Sequence, residues 1–174
     1  MLSDQALIDI AGIIGESGTC SRLQVGAVLT RSRRIISTGY NGTPSGMSHC
    51  YHDEGDDRPC EAAVHAEANV IAFAAKHGVT TWYSVLYTTH SPCVICARLL
   101  INAGIKEVIY EHDYRDIRGL VELREAGVKV TGPYGSGVRT MSTPRGDPKG
   151  MYPGEPAVKR FENPGYSGTA TYRR

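Results

Sequence analysis

The chain has 174 residues, a mass of 18.9 kDa and a formal net charge of +1, from 19 Lys and Arg against 18 Asp and Glu. This length predicts one domain, and the balanced charge argues against a protein that clamps DNA or RNA, because polymer binding depends on clustered cations. The N-terminal segment lacks the features of a signal peptide, and no stretch reaches the roughly 20 apolar residues of a membrane span. We therefore expect a cytoplasmic protein.

The first third of the chain predicts a helix followed by a β-hairpin. A helix over 3–17 is indicated by apolar residues at helical spacing, with Ser3 as its N-cap. Two β-rich runs, 25–30 and 34–40, are separated by a polar turn and predict the hairpin. The segment 41–61 has no periodicity, and a loop of this length is usually functional, stapled or disordered.

Strands and helices alternate in the next part of the chain. Helices are predicted over 62–77, 92–103 and 118–126, and strands over 84–89, 106–111 and 128–130. Ser91 is the predicted N-cap of the second of these helices, with Pro92 at its first position. This alternation predicts an α/β fold with a mixed central sheet of about five strands flanked by helices.

The composition changes at residue 132. The last 43 residues contain eight Gly, six Pro and four Tyr, and they show almost no aliphatic periodicity. We predict a folded domain over 1–131 and an irregular C-terminal tail over 132–174. The tail is interpreted as extended, wrapped around a neighbour or disordered.

Two short motifs indicate metal chemistry. His65 and Glu67 lie at the start of one predicted helix, and Cys93 and Cys96 lie at the start of the next. The cysteines are three residues apart, so one helical turn brings both thiols to the same side, where the helix dipole favours thiolates. Ligation by His65, Cys93 and Cys96 leaves a fourth tetrahedral position open, as in catalytic zinc sites. Glu67 is close enough to move protons of a bound water without occupying the metal.

Each motif alone has a simpler interpretation. A C-x-x-C pair is often half of a structural zinc site or a redox pair, and a single histidine in an Ala-rich helix is usually packed. Their order, on two helices separated by a strand, favours the catalytic interpretation and matches the H-x-E…P-C-x-x-C signature of zinc deaminases.

The glycine-containing loop after the hairpin predicts a phosphate and sugar site. Gly42 allows backbone N–H groups to approach an anion, and Asn41 could bind a sugar hydroxyl or a base edge. Thr43 and Ser45 add hydroxyl donors. An ordinary hairpin-exit loop is the alternative, since Asn-Gly is a common turn dipeptide.

The chain resembles the deoxycytidylate (dCMP) deaminases of the cytidine deaminase superfamily, and its phage and bacterial branch in particular. The resemblance covers about residues 5–130 and rests on RLQVGAV (22–28), TGYNGTPSG (38–46), HAEAN (65–69), SPCVIC (91–96) and AGIKEV (103–108). It implies a three-layer cytidine deaminase-like fold and hydrolysis of dCMP to dUMP and ammonia, which would supply dUMP for thymidylate synthesis. It also implies that zinc bound by His65, Cys93 and Cys96 activates water while Glu67 protonates N3 and then the departing ammonia.

Seven residues are expected to contact the substrate. They are Asn41, Gly42, Thr43, Ser45, Ala66, Ser91 and Tyr114. The resemblance implies that an aromatic residue near Tyr114 closes the pocket, although Tyr114 could equally be a surface residue. His90 could line the pocket or support a zinc ligand, and Arg115 could meet phosphate or be solvated.

The three remaining cysteines are Cys20, Cys50 and Cys60. Some phage and bacterial dCMP deaminases have a second, structural zinc, and Cys20 and Cys50 fit two of its ligand positions. Cys60 is a plausible third ligand, and the fourth is open between His49 and His52, with His52 preferred. Ala63 stands where some relatives have an acidic ligand, so their ligand set does not transfer as a whole. Three buried reduced thiols are the alternative.

Three functions compete at this point. The first is a dCMP deaminase. The second is a deaminase of a related substrate: dCTP, a 5-substituted dCMP, a free nucleoside or tRNA adenosine. The third is a non-catalytic, zinc-stabilised nucleotide-binding protein, which would not require Glu67. Family members often form hexamers that dCTP activates and dTTP inhibits, so the resemblance implies a homo-oligomer, with a hexamer favoured and dCTP and dTTP as candidate effectors. No nucleic acid polymer and no membrane is expected as a partner.

Overall fold

A computed structural model describes residues 1–53 and 58–133, which form a five-stranded sheet with helices on both faces. The elements in chain order are α1 (Asp4–Gly15), β1 (Gly26–Arg31), β2 (Arg34–Tyr40), α2 (Ala66–Lys76), β3 (Val85–His90), α3 (Val94–Asn102), β4 (Glu107–His112), α4 (Arg118–Glu125) and β5 (Lys129–Thr131). The strand order is β2-β1-β3-β4-β5. β1 is antiparallel to both of its neighbours, whereas β3, β4 and β5 run parallel. The predicted mixed sheet is therefore confirmed.

The alternation of side chains along the strands divides the core into two layers. On β1, Ala27 and Leu29 pack with α2, α3 and α4, whereas Val28 packs with α1. On β3, Leu86 and Tyr87 divide between the two layers in the same way. Because successive side chains of a strand point to opposite faces, the sheet lies between one helix and three, as the three-layer prediction requires.

The first helix and the hairpin form as the sequence predicts. Ser3 caps α1, and its Oγ accepts a hydrogen bond from the Ala6 N–H at 3.1 Å. Ser32 and Arg33 connect β1 to β2 with φ values of 49° and 58°, which suit a two-residue turn between twisted strands. The helix ends at Gly15, two residues before its predicted end.

The helix with the first motif starts four residues later than predicted. Val64 pairs with Gly42 through two backbone hydrogen bonds of 2.9 and 3.1 Å, so the chain is still extended there. His65 is the N-cap, with φ −70° and ψ 154°, and the helix begins at Ala66. This pairing explains why residues 62 and 63 are not helical, although both are alanine, a strong helix former.

The prediction of Ser91 as the N-cap of the next helix is also wrong. Cys93 is the N-cap of α3, and the helix begins at Val94 rather than at Pro92. The hydroxyl oxygen of Ser91 instead accepts a hydrogen bond from the Tyr114 N–H at 2.8 Å, so it connects the end of β3 to the loop after β4.

The predicted C-terminal tail lies outside the described residues beyond 133, and the division at 131 stays a prediction. In the part of the chain that the structure describes, no helix is long and apolar enough to cross a membrane.

Candidate active site

A cleft lies beside the end of β3 and the first residues of α2 and α3. His65 and Glu67 line it from the start of α2, and Cys93 lines it from the start of α3. Since both helices begin here, their positive dipole ends favour a carboxylate and thiolates in the cleft. The later start of each helix places His65 and Cys93 at the two N-cap positions.

Three side chains in the cleft form a cluster that fits a metal ion. His65 Nδ1 lies 3.5 Å from Cys93 Sγ and 3.5 Å from Cys96 Sγ. The three ligand atoms all lie within 4.8 Å of one another. Zinc bonds of about 2.3 Å to sulfur and 2.0–2.1 Å to nitrogen at tetrahedral angles give sulfur–nitrogen separations of about 3.5 Å. The observed distances therefore suit tetrahedral zinc with one position that no residue of the described ranges takes.

The electrostatics of the cluster favour a thiolate at Cys93, whereas the hydrogen bond with Cys93 and burial raise the pKa of the Cys96 thiol. A hydrogen bond with Cys96 is the main cause that lowers the pKa of Cys93 to about 4, with the interaction of His65 adding to it. The hydrogen bond with Cys93 likewise raises the pKa of His65. A thiolate beside an imidazole is a donor set that zinc prefers.

Glu67 is the buried acid of the cleft. Glu67 is 4% exposed, and it lies in the first turn of α2, two positions after the candidate ligand His65. Burial raises the pKa of its carboxyl group above the ordinary value for glutamate. A carboxyl that is withdrawn from solvent yet lines the cleft is suited to exchange protons with a molecule bound there.

The remaining cysteines form a second cluster, as the sequence predicts. Cys20, Cys50, His52 and Cys60 present ligand atoms that all lie within 4.8 Å of one another. Cys20 Sγ is 3.7 Å from His52 Nε2, close to the separation expected for two ligands of one tetrahedral zinc. His52 rather than His49 belongs to this cluster. Three thiol groups and an imidazole make up the four ligands of a tetrahedron, which is typical of structural zinc.

The predicted substrate residues divide between two places. The cleft is lined by Asn41, Ala66, Ser91 and Tyr114, and by His90. Gly42, Thr43 and Ser45 instead line a separate surface groove, together with His49. The loop that the sequence treats as one phosphate and sugar site therefore contributes Asn41 to the cleft and its other residues to the groove.

Asn41 uses both ends of its amide to hold a neighbouring backbone segment. Its Oδ1 accepts a hydrogen bond from the Val25 N–H at 2.8 Å, and its Nδ2 donates to the Leu23 carbonyl at 2.6 Å. The residue is 6% exposed, so these bonds are well shielded from water. Asn41 fixes the segment that forms one wall of the cleft.

His90 lies at the end of β3, and its Nδ1 is 3.1 Å from Thr89 Oγ1. Burial, with a smaller contribution from His112, lowers the pKa of His90. A neutral ring is therefore favoured at this position of the cleft wall.

Arg22 also lines the cleft, and sequence reasoning assigned it no role. One sequence signal could have indicated that Arg22 lies at the cleft. Arg22 follows Cys20 by two positions, and a residue so near a member of a metal-binding cluster is held in place by that cluster. Cys20 and Cys60 line the same cleft, so the second cluster forms part of its wall.

Comparison with known proteins identifies a family. The model of the cytidine and deoxycytidylate deaminase zinc-binding region matches residues 1–112. ComE operon protein 2 of Bacillus subtilis is 46% identical over 117 residues, which are 64% of this chain and 61% of that protein. The deoxycytidylate deaminase of Saccharomyces cerevisiae is 32% identical over 136 residues, which are 73% of this chain and 43% of that protein. The chain thus spans less than two thirds of the length of these two relatives.

A solved structure agrees with the fold. The crystal structure of dCMP deaminase from the cyanophage S-TIM5, in complex with dCMP and dUMP, matches with a TM-score of 0.68 and 35% identity. The match covers 72% of this chain and 93% of that chain. The likeness extends over nearly the whole cyanophage protein.

Proposed function

The chain belongs to the cytidine and deoxycytidylate deaminase family, and we propose that it catalyses the zinc-dependent hydrolysis of dCMP to dUMP and ammonia. One contrast within the molecule supports this proposal. The cluster of His65, Cys93 and Cys96 offers three ligands beside the buried Glu67, whereas the second cluster offers four. An open position next to an acid is typical of catalytic zinc, and a complete set of four is typical of structural zinc.

The reaction replaces the amino group at C4 of cytosine by oxygen from water. A zinc ion held by His65, Cys93 and Cys96 would supply Lewis-acid activation of the attacking water. Glu67 takes a proton from that water and delivers it to N3, so that C4 can accept the new C–O bond. Glu67 then takes the remaining proton from the C4 hydroxyl and passes it to the amino group, so that C4=O forms as the C4–N bond breaks and ammonia leaves.

The cleft residues orient the nucleotide for this transfer. Ala66 lies between His65 and Glu67 at the start of α2, where its backbone can meet the base edge. Tyr114 lines the same cleft, and Ser91 fixes its backbone through the 2.8 Å hydrogen bond to its N–H. Asn41 supports the wall and its side chain faces the same cleft. Substrate contacts by Gly42, Thr43 and Ser45 stay a prediction.

The second cluster binds a structural zinc in this proposal. Cys20, Cys50, His52 and Cys60 all lie in irregular segments, and one ion would tie these segments together. Three thiolates and an imidazole around one ion form a donor set that suits zinc. The ion would hold the cleft wall without entering the reaction.

Assembly and regulation are also part of the proposal. We expect a homo-oligomer, with a hexamer favoured, and an effect of dCTP and dTTP. Large exposed apolar side chains on three helices, Phe73, Ile95 and Val121 among them, support contact surfaces between copies. Sedimentation of the full chain would test the oligomer, and kinetics that are hyperbolic and unaffected by either triphosphate would count against regulation. The cytoplasmic location stays a prediction.

A substrate panel tests the proposed activity. Zinc-loaded protein should release ammonia from dCMP more efficiently than from dCTP or deoxycytidine. If the protein prefers dCTP or a 5-substituted dCMP, that nucleotide replaces dCMP as the proposed substrate. The proposed zinc-dependent deamination then stays unchanged. Release from none of them would reject the catalytic proposal.

A further inference from the structure

His90 is a side chain of the cleft that the proposed proton transfer does not use. It is the last residue of β3, and it lines the cleft together with Glu67. Leu86 of the same strand packs in the layer of α2 and α3, and an even number of positions separates it from His90. Because side chains alternate along a strand, His90 points to the face of the sheet on which the metal cluster lies.

Two hydrogen bonds determine which nitrogen of the His90 ring carries the proton. The Gly26 N–H donates to Thr89 Oγ1 at 3.3 Å, and His90 Nδ1 lies 3.1 Å from the same oxygen. Thr89 is 7% exposed, and among the described residues the His90 ring is the acceptor that its hydroxyl proton can reach. The hydroxyl therefore donates to Nδ1, which leaves the proton of the neutral ring on Nε2.

The surroundings of the ring keep it neutral and in place. Burial is the main cause that lowers the pKa of His90, and His112 adds to it. The centroids of these two rings are 5.3 Å apart and the planes are tilted by 57°, an ordinary arrangement of packed aromatic rings. Nε2–H points away from Thr89, and within the described ranges it has no protein acceptor. The cleft wall thus presents a neutral donor to a bound molecule.

A neutral donor fits the nucleoside part of the substrate. In the proposed reaction Glu67 exchanges protons at N3 and at the amino group, so the acceptors left on the nucleoside are the C2 carbonyl and the deoxyribose oxygens. Two other polar side chains of the cleft are engaged with backbone: the Asn41 amide binds at both ends, and Ser91 Oγ accepts the Tyr114 N–H. An N–H group that is already oriented binds such an oxygen with little loss of conformational freedom.

We propose that His90, held by Thr89 with its proton on Nε2, donates a hydrogen bond to an oxygen of the nucleoside part of the substrate and orients the base for attack at C4. This inference deepens the proposed function and rests on it. Thr89 is then a positioning residue, because it acts through the His90 ring. Since the phosphate takes no part in this bond, its loss should affect nucleotide and nucleoside equally.

The tautomer is tested by the nitrogen NMR shifts of the histidine side chains in the zinc-loaded full chain, with the His90 signals assigned from their loss in His90→Gln. At neutral pH we expect the proton on Nε2. Thr89→Val removes the hydroxyl and should populate both tautomers, whereas Thr89→Ser retains the hydroxyl and should keep the wild-type shifts. A proton on Nδ1 in the wild type, or shifts in Thr89→Val equal to those of the wild type, would overturn the proposed relay.

Calorimetry with dUMP and with deoxyuridine tests the substrate contact without turnover. His90→Leu removes the donor, and it should weaken the binding of both ligands by about 3–10-fold, the usual effect of one neutral hydrogen bond. His90→Gln retains an N–H donor and should recover at least part of this loss, which a merely structural role would not predict. The matched control is His77→Leu, at the end of α2 remote from the cleft, and it should bind as the wild type does.

An analogue identifies the acceptor. In 2-thio-dUMP, sulfur replaces the oxygen of the C2 carbonyl and is a much weaker acceptor. If His90 binds the C2 carbonyl, the wild type and His90→Leu should have similar affinities for this analogue. If it binds a deoxyribose oxygen, His90→Leu should weaken the analogue as much as it weakens dUMP. Either result supports the contact and names its partner.

The outcomes separate this inference from the proposed activity. If the wild type binds dUMP but releases no ammonia from dCMP, the activity fails while the shifts and affinities still test His90. An unchanged affinity in His90→Leu, or a loss for dUMP alone, would overturn the contact. Should His90→Leu fail to fold, Thr89→Val replaces it. It should weaken both ligands by about 2–5-fold with Thr89→Ser unchanged, and equal affinities in all three proteins would reject the proposal.

Discussion

Cys93 Sγ lies 3.5 Å from His65 Nδ1, although 28 residues separate the two in the sequence. Each is the N-cap of a helix, so their approach depends on how α2 and α3 pack on the sheet rather than on local sequence. Gly119 of α4 lies behind the backbone of Cys93 and sets how closely α4 approaches it.

Substitution of Gly119 should disturb the metal cluster from a distance. A Cβ added there would lie 2.8 Å from the Cys93 carbonyl carbon and would collide with the Pro92 carbonyl oxygen. We expect Gly119→Ala to destabilise the fold by roughly 1–3 kcal/mol, as overpacking usually does, and to weaken zinc retention. Thermal unfolding and zinc loss to a chelator would measure both effects.

The matched control is Gly12→Ala on α1, where an added Cβ meets nothing within 4 Å. This variant should gain about 0.4–1 kcal/mol from reduced freedom of the unfolded chain and retain zinc normally. If Gly119→Ala has a Tm as high as that of Gly12→Ala, the backbone at Cys93 moves to accommodate the added Cβ. The expected destabilisation would then be contradicted.

Cys60 should matter for stability more than for chemistry. Cys60→Ser removes one ligand of the second cluster, so the zinc content should fall from about two ions to about one per chain, and the Tm should fall by about 5–10 °C. The kcat for dCMP should stay within about 3-fold of the wild type, because the reacting groups are unchanged.

Cys93→Ser is the comparison for this prediction, since it removes a ligand of the other cluster. It should lose nearly all turnover. Metal analysis that finds about one zinc per wild-type chain would remove the second site from the account.

Tyr110 should make stability fall at alkaline pH. Burial raises the pKa of its hydroxyl to about 12, with the hydrogen bond to Asp113 adding to it. Below pH 10 both the folded and the unfolded chain hold this proton, so its contribution to stability is fully present. From pH 10 to about 12 the unfolded chain releases the proton first, and stability falls as pH rises.

Tyr110→Phe removes this titration. Between pH 9 and 11 the variant should lose about 1 kcal/mol less unfolding free energy than the wild type. Tyr51→Phe, at a site that is 84% exposed, should keep the wild-type dependence. Parallel curves for the wild type and Tyr110→Phe from urea unfolding would contradict the expected shift.

Much of this molecule follows from local sequence signals. Ser3 caps α1 as expected, and Gly78, Gly104 and Gly127 each follow a helix with positive φ, so the ends of several elements are determined by nearby residues. Spacing and the resemblance also predict two groups of candidate ligands, and the structure brings the members of each group together. His52 was preferred over His49, and the structure brings it to the second cluster.

The helix starts at the site could not be predicted locally. Val64 is held extended by Gly42, and Ser91 is engaged by Tyr114, and both partners lie more than 20 residues away. A long-range contact also explains why Asn41 lines the cleft whereas Thr43 and Ser45 line the groove. The Asn41 side chain accepts a hydrogen bond from the Val25 N–H, which lies 16 residues away in the sequence. Such long-range contacts leave no periodic signal in the sequence.

The central claim is that Glu67 transfers protons in a zinc-dependent deamination of dCMP. Ammonia release by zinc-loaded Glu67→Gln, at saturating dCMP and with the zinc content measured on the same sample, tests it most directly. Because this change keeps the shape of the side chain and removes its proton transfer, we expect zinc content equal to that of the wild type and a kcat lower by at least about 10²–10⁴-fold. A Glu67→Gln protein that retains both its zinc and the wild-type rate would contradict the account.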